Sequence, residues 1–426
     1  MKKIAIVLGV VAGIGLIGPK FVGDIVKSEY QETLDKLAQH PSFDITETQF
    51  TRTWFSGVST VKVKLKGDLD QFENFEITVT DNISFGPIIV EDGVSFSLAK
   101  ATSHFSFDDG VVSDEVMNVL NDKLTVNSEF TYGMNSIVNV HLKEFIKEQD
   151  GNSIKIGEMT AQMTVADEKE IKGVIDWQGM NFNGPQSTIF ISGAKMDFDQ
   201  EVVSGDLFSP TAIMTGGGNF TMPEVVAKTP DGKEMFALND LSISARSKFV
   251  NELIEMTLNY NVKEIKGQGQ NFTNANLNVI FKNLDAEVLA ELNGLLAQVS
   301  ATASQEETAM QMQKVMGIAT KLLAHNPEIE ISDFSVETPE GIIKSDMLMS
   351  VDNTIYDPAN PMSMMAALKA DAKGNAPQLF FEKLGMKPML DMYVDQGLIV
   401  RDNNDLSFNV QFSQGKLTVN GNVLPL

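Results

Sequence analysis

Beyond Pro41 the apolar residues of this chain keep to every second position, and a chain written in that rhythm folds as sheet. Val61, Val63 and Leu65 alternate with Lys62, Lys64 and Lys66. Leu241, Ile243 and Ala245 alternate with Ser242 and Ser244, and Met256, Leu258, Tyr260 and Val262 with Thr257, Asn259, Asn261 and Lys263. The runs Leu277, Val279, Phe281 and Leu406, Phe408, Val410, Phe412 follow the same rule. Successive side chains on a strand point to opposite faces, so each run offers one apolar face and one wet face. That predicts half-buried antiparallel strands, one face covered and the other in water. A parallel sheet, covered on both faces, would need near-continuous apolar runs.

The turns agree. Ser413-Gln414-Gly415-Lys416 predicts a tight hairpin between the last long strands. Thr229-Pro230-Asp231-Gly232 and Thr338-Pro339-Glu340-Gly341 carry one turn signature twice. A second pattern recurs at Asp240-Leu-Ser-Ile, Asp333-Phe-Ser-Val and Asp405-Leu-Ser-Phe, each expected to open a strand. Its unequal spacing excludes a fixed-period solenoid.

Helical spacing appears in a few places. Val22, Ile25, Val26, Tyr30, Leu34 and Leu37 share one helix face that ends at His40-Pro41. Val288, Leu292, Leu295 and Val299 predict a helix over 284–300. Ser304-Gln-Glu-Glu307 is a capping box for a helix carrying Met312, Val315, Met316 and Leu322, which stops before Pro327. Pro377 opens another helix to about Leu384, with a further one to Gln396. The expected fold class is α+β: an N-terminal membrane helix, then a β-rich, mainly antiparallel-sheet periplasmic region with helices packed on it. The expected division is a membrane anchor or signal over 1–26, a helical stalk over 27–41, a β-rich lobe over 42–283 and an α+β lobe over 284–426.

The anchor rests on Lys2-Lys3 and the uncharged run from Ile4 to Ile17. The lysines hold that end on the cytoplasmic side. The run alone reaches ~21 Å as helix; continued to Val26 it reaches ~34 Å, against a hydrocarbon core of ~30 Å. Ile4, Val7, Leu8, Val11, Ile14, Leu16 and Ile17 would face lipid, and Gly9 and Gly13 form a G-x-x-x-G contact for a second helix. An uncleaved signal anchor in a bacterial inner membrane follows, with the bulk periplasmic; a cleaved signal is the alternative. Gly13-Ile-Gly-Leu-Ile-Gly18 also fits a dinucleotide fingerprint, but no strand precedes it.

Chemistry is sparse. The net charge of −24 repels nucleic acid. Without cysteine there are no disulfides or thiolate sites. His40, His104, His141 and His325 are not at metal-ligand spacing, and no G-x-S-x-G elbow is present. Asp197 and Asp199 share a strand face, which is the wet face of a strand more readily than a glycosidase pair. Asp402-Asn-Asn-Asp405 lacks the glycine of a calcium loop. The 22 methionines cluster at Met310/Met312/Met316, Met362/Met364/Met365 and Met386/Met389/Met392, as core filling or as an adaptable apolar surface. No catalytic residue, cofactor or metal is assigned.

Three stretches carry a resemblance. Lys2-Lys3 with its apolar run, Thr53-Trp54-Phe55-Ser56-Gly57 and Gly415-Lys416-Leu417-Thr418-Val419-Asn420-Gly421 resemble the YdgA-like family of Gram-negative envelope proteins, which favours glycine where this chain has Thr53. The resemblance implies a single-pass inner-membrane protein with a periplasmic domain that forms a homodimer, and brings no catalytic residues. The layout is also similar to the AsmA-like lipid-bridge proteins. The expected function is a non-catalytic, membrane-anchored binding or structural protein of the envelope. A lipid or amphiphile carrier and an envelope hydrolase are the alternatives. Expected partners are the membrane, a second copy, and a lipid or envelope protein; nucleic acid is excluded.

Overall fold

The computed structural model describes residues 43–65, 76–90, 93–107, 122–133, 135–149, 151–207, 209–267, 269–300, 305–357, 360 and 362–424. The leader residues Ile4, Val7, Leu8, Gly9, Val11, Gly13, Ile14, Leu16 and Ile17, the stalk and the Ser304 cap lie outside them. Among the described residues no helix is long and apolar enough to cross a membrane.

Strand dominates. The first part holds β1 (Phe43–Arg52), β2 (Ser56–Leu65), β3 (Glu76–Phe85), β4 (Ile89–Val90), β5 (Val94–Ser95), β6 (Ala99–Phe107), β7 (Leu124–Phe130) and β8 (Ser136–Leu142). Next come β9 (Phe145–Gln149), β10 (Asn152–Ile156), β11 (Met159–Ala166), β12 (Glu170–Trp177), β13 (Met180–Asn183), β14 (Thr188–Ile191) and β15 (Ala194–Ser204). Four long strands follow: β16 (Ile213–Lys228), β17 (Glu234–Val250), β18 (Leu253–Gly267) and β19 (Gln270–Asp285). The last part has β20 (Glu328–Thr338), β21 (Gly341–Val351), β22 (Leu368–Pro377), β23 (Val400–Asp402), β24 (Asp405–Ser413), β25 (Lys416–Val419) and β26 (Asn422–Leu424). The helices are α1 (Ala286–Ser300), α2 (Gln305–Ala319), a 3-10 turn (Thr320–His325), α3 (Ser363–Ala367), α4 (Gln378–Lys383) and α5 (Lys387–Asp395).

Apart from the small β4–β5 hairpin, these strands form one 24-stranded sheet in which every pairing is antiparallel. Its spine runs β1-β2-β3-β6-β7-β8-β11-β12-β15-β16 and on through β17, β18, β19, β20, β21, β22, β24, β25 and β26. A side arm, β9-β10-β13-β14, rejoins at β16. β16 is long enough to serve both: its first half pairs with β15, and Val225–Lys228 pair with β14. The sheet passes through residues 283–284 without a break in pairing, since β19 pairs with β20.

Turn chemistry explains the meander. Gln414 and Gly415 both have positive φ, as a two-residue hairpin turn of primed type requires. Asp285 caps α1 by accepting the Val288 N–H at 2.9 Å. Pro377 ends β22 opposite Asp405 and immediately precedes α4.

The two ends of the spine differ in burial. From β2 to β8 one face is fully buried, with Ile77, Val79, Ala99 and Val126 at its centre. Within that face Ser59, Asp81 and Ser103 stand side by side in register, and Ser103 Oγ donates to Asp81 Oδ1 at 2.6 Å. Burial lifts the Asp81 carboxyl from its ordinary 3.8 to about 6. From β17 to β19 the expectation of one covered face fails: both faces are largely half-exposed. The helices sit toward the margins. α1 contacts β16 and β19, around Ile213, Ile254 and Ala286, and α4 contacts β22.

Two of the three expected strand openings are also corrected. Asp405 opens β24, but Asp240 lies inside β17 and Asp333 inside β20. Asp240 has φ +50 and Asn274 φ +49, and pairing is interrupted at one level across four strands, at Pro223, Asp240, Lys263 and Asn274. This crease matches a slip in the apolar rhythm, from Met222 to Val225, Leu238 to Leu241, Val262 to Ile265 and Phe272 to Ala275.

Candidate functional site

The register turns scattered alternation into continuous apolar rows running across the sheet. Val126, Val140, Ala161, Ile175 and Met196 stand opposite one another in turn from β7 to β15. Phe220, Ile243, Tyr260, Leu277 and Phe334 continue the row from β16 to β20. A second row lies alongside on the same face. It passes through Val138, Met163, Gly173 and Phe198, then Gly218, Ala245, Leu258 and Val279. It ends through Ile331, Met347, Ala372, Val410 and Val419. Thirteen strands from β8 to β25 share this second row, about 58 Å at the ~4.8 Å strand spacing. The stripe is shielded at one end and open beyond it: Val126 is 0% exposed, whereas Met196 and Phe334 are 39% exposed.

At two glycines on this face, Gly173 and Gly374, an aromatic ring lies on the backbone. A Cβ on Gly173 would collide with the Phe198 ring, and one on Gly374 would stand 2.6 Å from Phe408 Cε1. Glycine here lets a phenyl ring lie flat along the stripe.

The opposite face is a polar ladder. Asn219 Nδ2 donates to Asp197 Oδ2 at 2.7 Å, Asn259 Nδ2 to Ser244 Oγ at 3.3 Å, and Asn278 Nδ2 to Asn259 Oδ1. Asp197 therefore belongs to a hydrogen-bonded wet face, and Asp199 lies 3.5 Å from Lys172 beside it.

At the C-terminal part the stripe passes beneath helices and becomes a cavity of about 500 Å³. Its floor includes Phe334, Ser345 and Phe408, and its roof is Phe381, Met386, Met389, Leu390 and Tyr393. Phe380 packs edge-on against Phe272 of β19, with ring centroids 6.2 Å apart, and pins α4 to the sheet. The β20–β21 turn is tied to the same helix: Lys383 Nζ is 2.7 Å from Glu340 Oε1 and holds that carboxyl below the usual carboxylate range. Lys344 borders the cavity from β21, but it alternates with Ile343 and Ser345, so its side chain belongs to the opposite, wet face with Ser335 and Asn375. A hollow of this size, walled by apolar side chains with a few polar groups, suits an organic ligand.

A somewhat larger hollow, about 580 Å³, lies on the crease. Apart from Pro223 its lining residues are polar, and three of its four charged groups are paired: Lys263 with Asp240 at 3.1 Å and Glu264 with Lys266 at 2.9 Å. It has none of the aromatic and aliphatic side chains that wall the cavity under α4 and α5, so the covered end of the stripe is the better candidate.

The residues singled out in the sequence do not converge. His141 Nε2 lies 2.6 Å from Glu158 Oε1, His325 Nε2 3.2 Å from Asp285 Oδ2, and His104 stands exposed on β6. Among the described residues no group of three or more histidines and carboxylates could hold a metal. The methionine clusters are surface features more than core: Met310, Met316 and Met362 are more than half exposed, while Met386 and Met389 roof the cavity. The aromatic floor carries no local motif; only the paired register of β20, β21, β22 and β24 brings it together.

A family model described as a bacterial protein of unknown function (DUF945) matches residues 1–426. No curated protein and no solved structure matches the chain.

Proposed function

We propose, from the premise that the chain belongs to the bacterial family DUF945, that it is a non-catalytic carrier of amphiphiles held at the inner membrane. The observation that carries this reading is the apolar stripe that lies open along the sheet and runs into the cavity under α4 and α5. An acyl chain laid on it would leave water for an apolar surface, at ~0.8 kcal/mol per buried methylene. Lys2, Lys3 and the run from Ile4 to Val26 supply the anchor, with the sheet on the periplasmic side, in keeping with the YdgA-like resemblance.

Native mass spectrometry of the full chain, purified in mild detergent, tests the reading. Co-purified amphiphile is expected. Met389→Trp, which fills the cavity, should lower its occupancy. A fluorescent fatty acid and a neutral analogue should both bind, and Met389→Trp should weaken each. A lipid-free protein that binds neither probe would sink the proposal. The same spectra report subunit number, since a second copy laid on the stripe would cover the same residues. The hydrolase alternative has weaker support: among the described residues, no serine or threonine hydroxyl is hydrogen-bonded to His141 or His325 to complete their carboxylate pairs.

A further inference from the structure

The turns at one end of β1 to β8 carry large apolar side chains into solvent. Trp54 is 91% exposed, Phe55 78%, Val90 78%, Phe96 68%, Ile88 57% and Tyr132 52%. They come from separate connections gathered at one place. The Phe85 N–H donates to Phe55 O at 2.8 Å, Tyr132 Oη to Pro87 O at 2.7 Å, and the Leu98 N–H to Phe130 O at 2.9 Å. The Trp54-Phe55 turn is built to hold its shape. Thr53 N–H donates to Ser56 O at 2.7 Å, and the Ser56 N–H donates to Thr53 Oγ1 at 3.1 Å. So two aromatic rings are presented on a turn whose flanking polar groups are already satisfied. The described residues 53–57, 86–90, 93–98 and 131–133 contain no charged side chain. The charges that border these segments in sequence are Arg52, Lys100, Glu129, Glu91 and Asp92, and Lys100 lies 3.9 Å from Glu129.

We infer that these turns form a membrane-docking tip that inserts Trp54 and Phe55 into the interface of a zwitterionic phospholipid bilayer. Trp and Tyr, apolar bodies with one polar atom, suit the headgroup level. Backbone entering lipid must have its polar groups paired, and the Thr53 and Ser56 amides and the Phe55 carbonyl are. Separate projecting turns penetrate a fluid surface more readily than they match one rigid partner. The bordering charges, Arg52 and Lys100 against Glu91, Asp92 and Glu129, leave no net positive charge to favour an anionic surface, which selects neutral headgroups. The inference is independent of the carrier reading; if both hold, the tip sets the sheet's shielded end against a lipid source.

Trp177→Phe leaves Trp54 as the sole tryptophan. The full-length variant, embedded in phosphatidylcholine nanodiscs, is mixed with vesicles of acyl-brominated phosphatidylcholine; in a parallel sample the nanodisc lipid itself is brominated. The expected result is a blue shift and quenching of Trp54 by brominated lipid in at least one sample. Trp54→Ser with Phe55→Ser should weaken vesicle attachment at least about tenfold while the circular dichroism stays unchanged, because both side chains are exposed. Trp54 quenched by aqueous acrylamide but by neither brominated bilayer would overturn the inference. So would Trp54 shielded from all quenchers, which would mean that protein covers it. Fatty-acid binding measured on the double variant reports on the cavity separately.

Discussion

Asp81 shows how one side chain can set the pH response of a large sheet. Its carboxyl sits on the buried face in phase with Val79 and Ile83, with Ser103 as its hydrogen-bond donor. In the unfolded chain it ionises near its ordinary 3.8; in the folded protein it keeps its proton to about 6. Its favourable contribution is therefore complete below pH 3.8 and declines as the pH rises to about 6. Above that the fold carries a desolvated charge costing on the order of 3 kcal/mol. Asp81→Asn keeps an acceptor for Ser103 without the charge. It should raise urea stability at pH 7.5 by roughly 2–3 kcal/mol, and the advantage should fade towards pH 4. An unchanged gap between the two pH values would contradict this. The placement of Asp81 was readable, since Ile77, Val79, Asp81 and Ile83 share one parity. That it lies buried was not, because alternation names a face without saying what covers it. Gly374 gives a second residue-scale case. Gly374→Ala would push a methyl into the Phe408 ring and should cost about 1–3 kcal/mol by chemical denaturation.

At the level of elements, the strands and most turns were legible because their signals are local. Gln414-Gly415 and the period-two runs are read from a few neighbouring residues. The crease was not. A single slip from Leu238 to Leu241 reads as the start of a new strand, and Asp240 was read that way. Only the pairing shows four slips at one level, with Asp240 and Asn274 in the left-handed region. Asparagine tolerates that backbone and also donates to Glu337 Oε2 at 3.0 Å. Asn274→Val should therefore destabilise the protein by about 1–3 kcal/mol, whereas Asn274→Gly should cost less despite losing the same hydrogen bond. Thermal melts of the pair would decide it; equal losses would place the cost in the side-chain contact and not in the backbone.

Across the whole molecule, the sequence indicated an antiparallel sheet with a wet face and an apolar face, and the spine has both. It did not indicate that the apolar face would stay half-exposed over β17 to β19, because helices of ordinary amphipathic pattern lead one to expect a covered sheet. Continuity is the property to test. Ile243→Asp puts a charge in the middle of the stripe without touching the cavity under α5. In the carrier reading, photo-crosslinkers placed at Met196 and at Phe334 should both capture lipid in the unmodified stripe. With the charge in place, only the Phe334 side should do so. Capture at both positions with the charge present would mean that the two regions fill independently.

The forked strand β16 also has a consequence for biogenesis. The side arm ending in β14 emerges from synthesis or export before Val225–Lys228 exist to receive it, and β15 likewise waits for Ile213–Thr221. Until that single segment arrives, two sheet margins stand open at once, each with unpaired amides able to recruit another chain. The passage of roughly two dozen residues is thus the interval in which this polypeptide most needs protection.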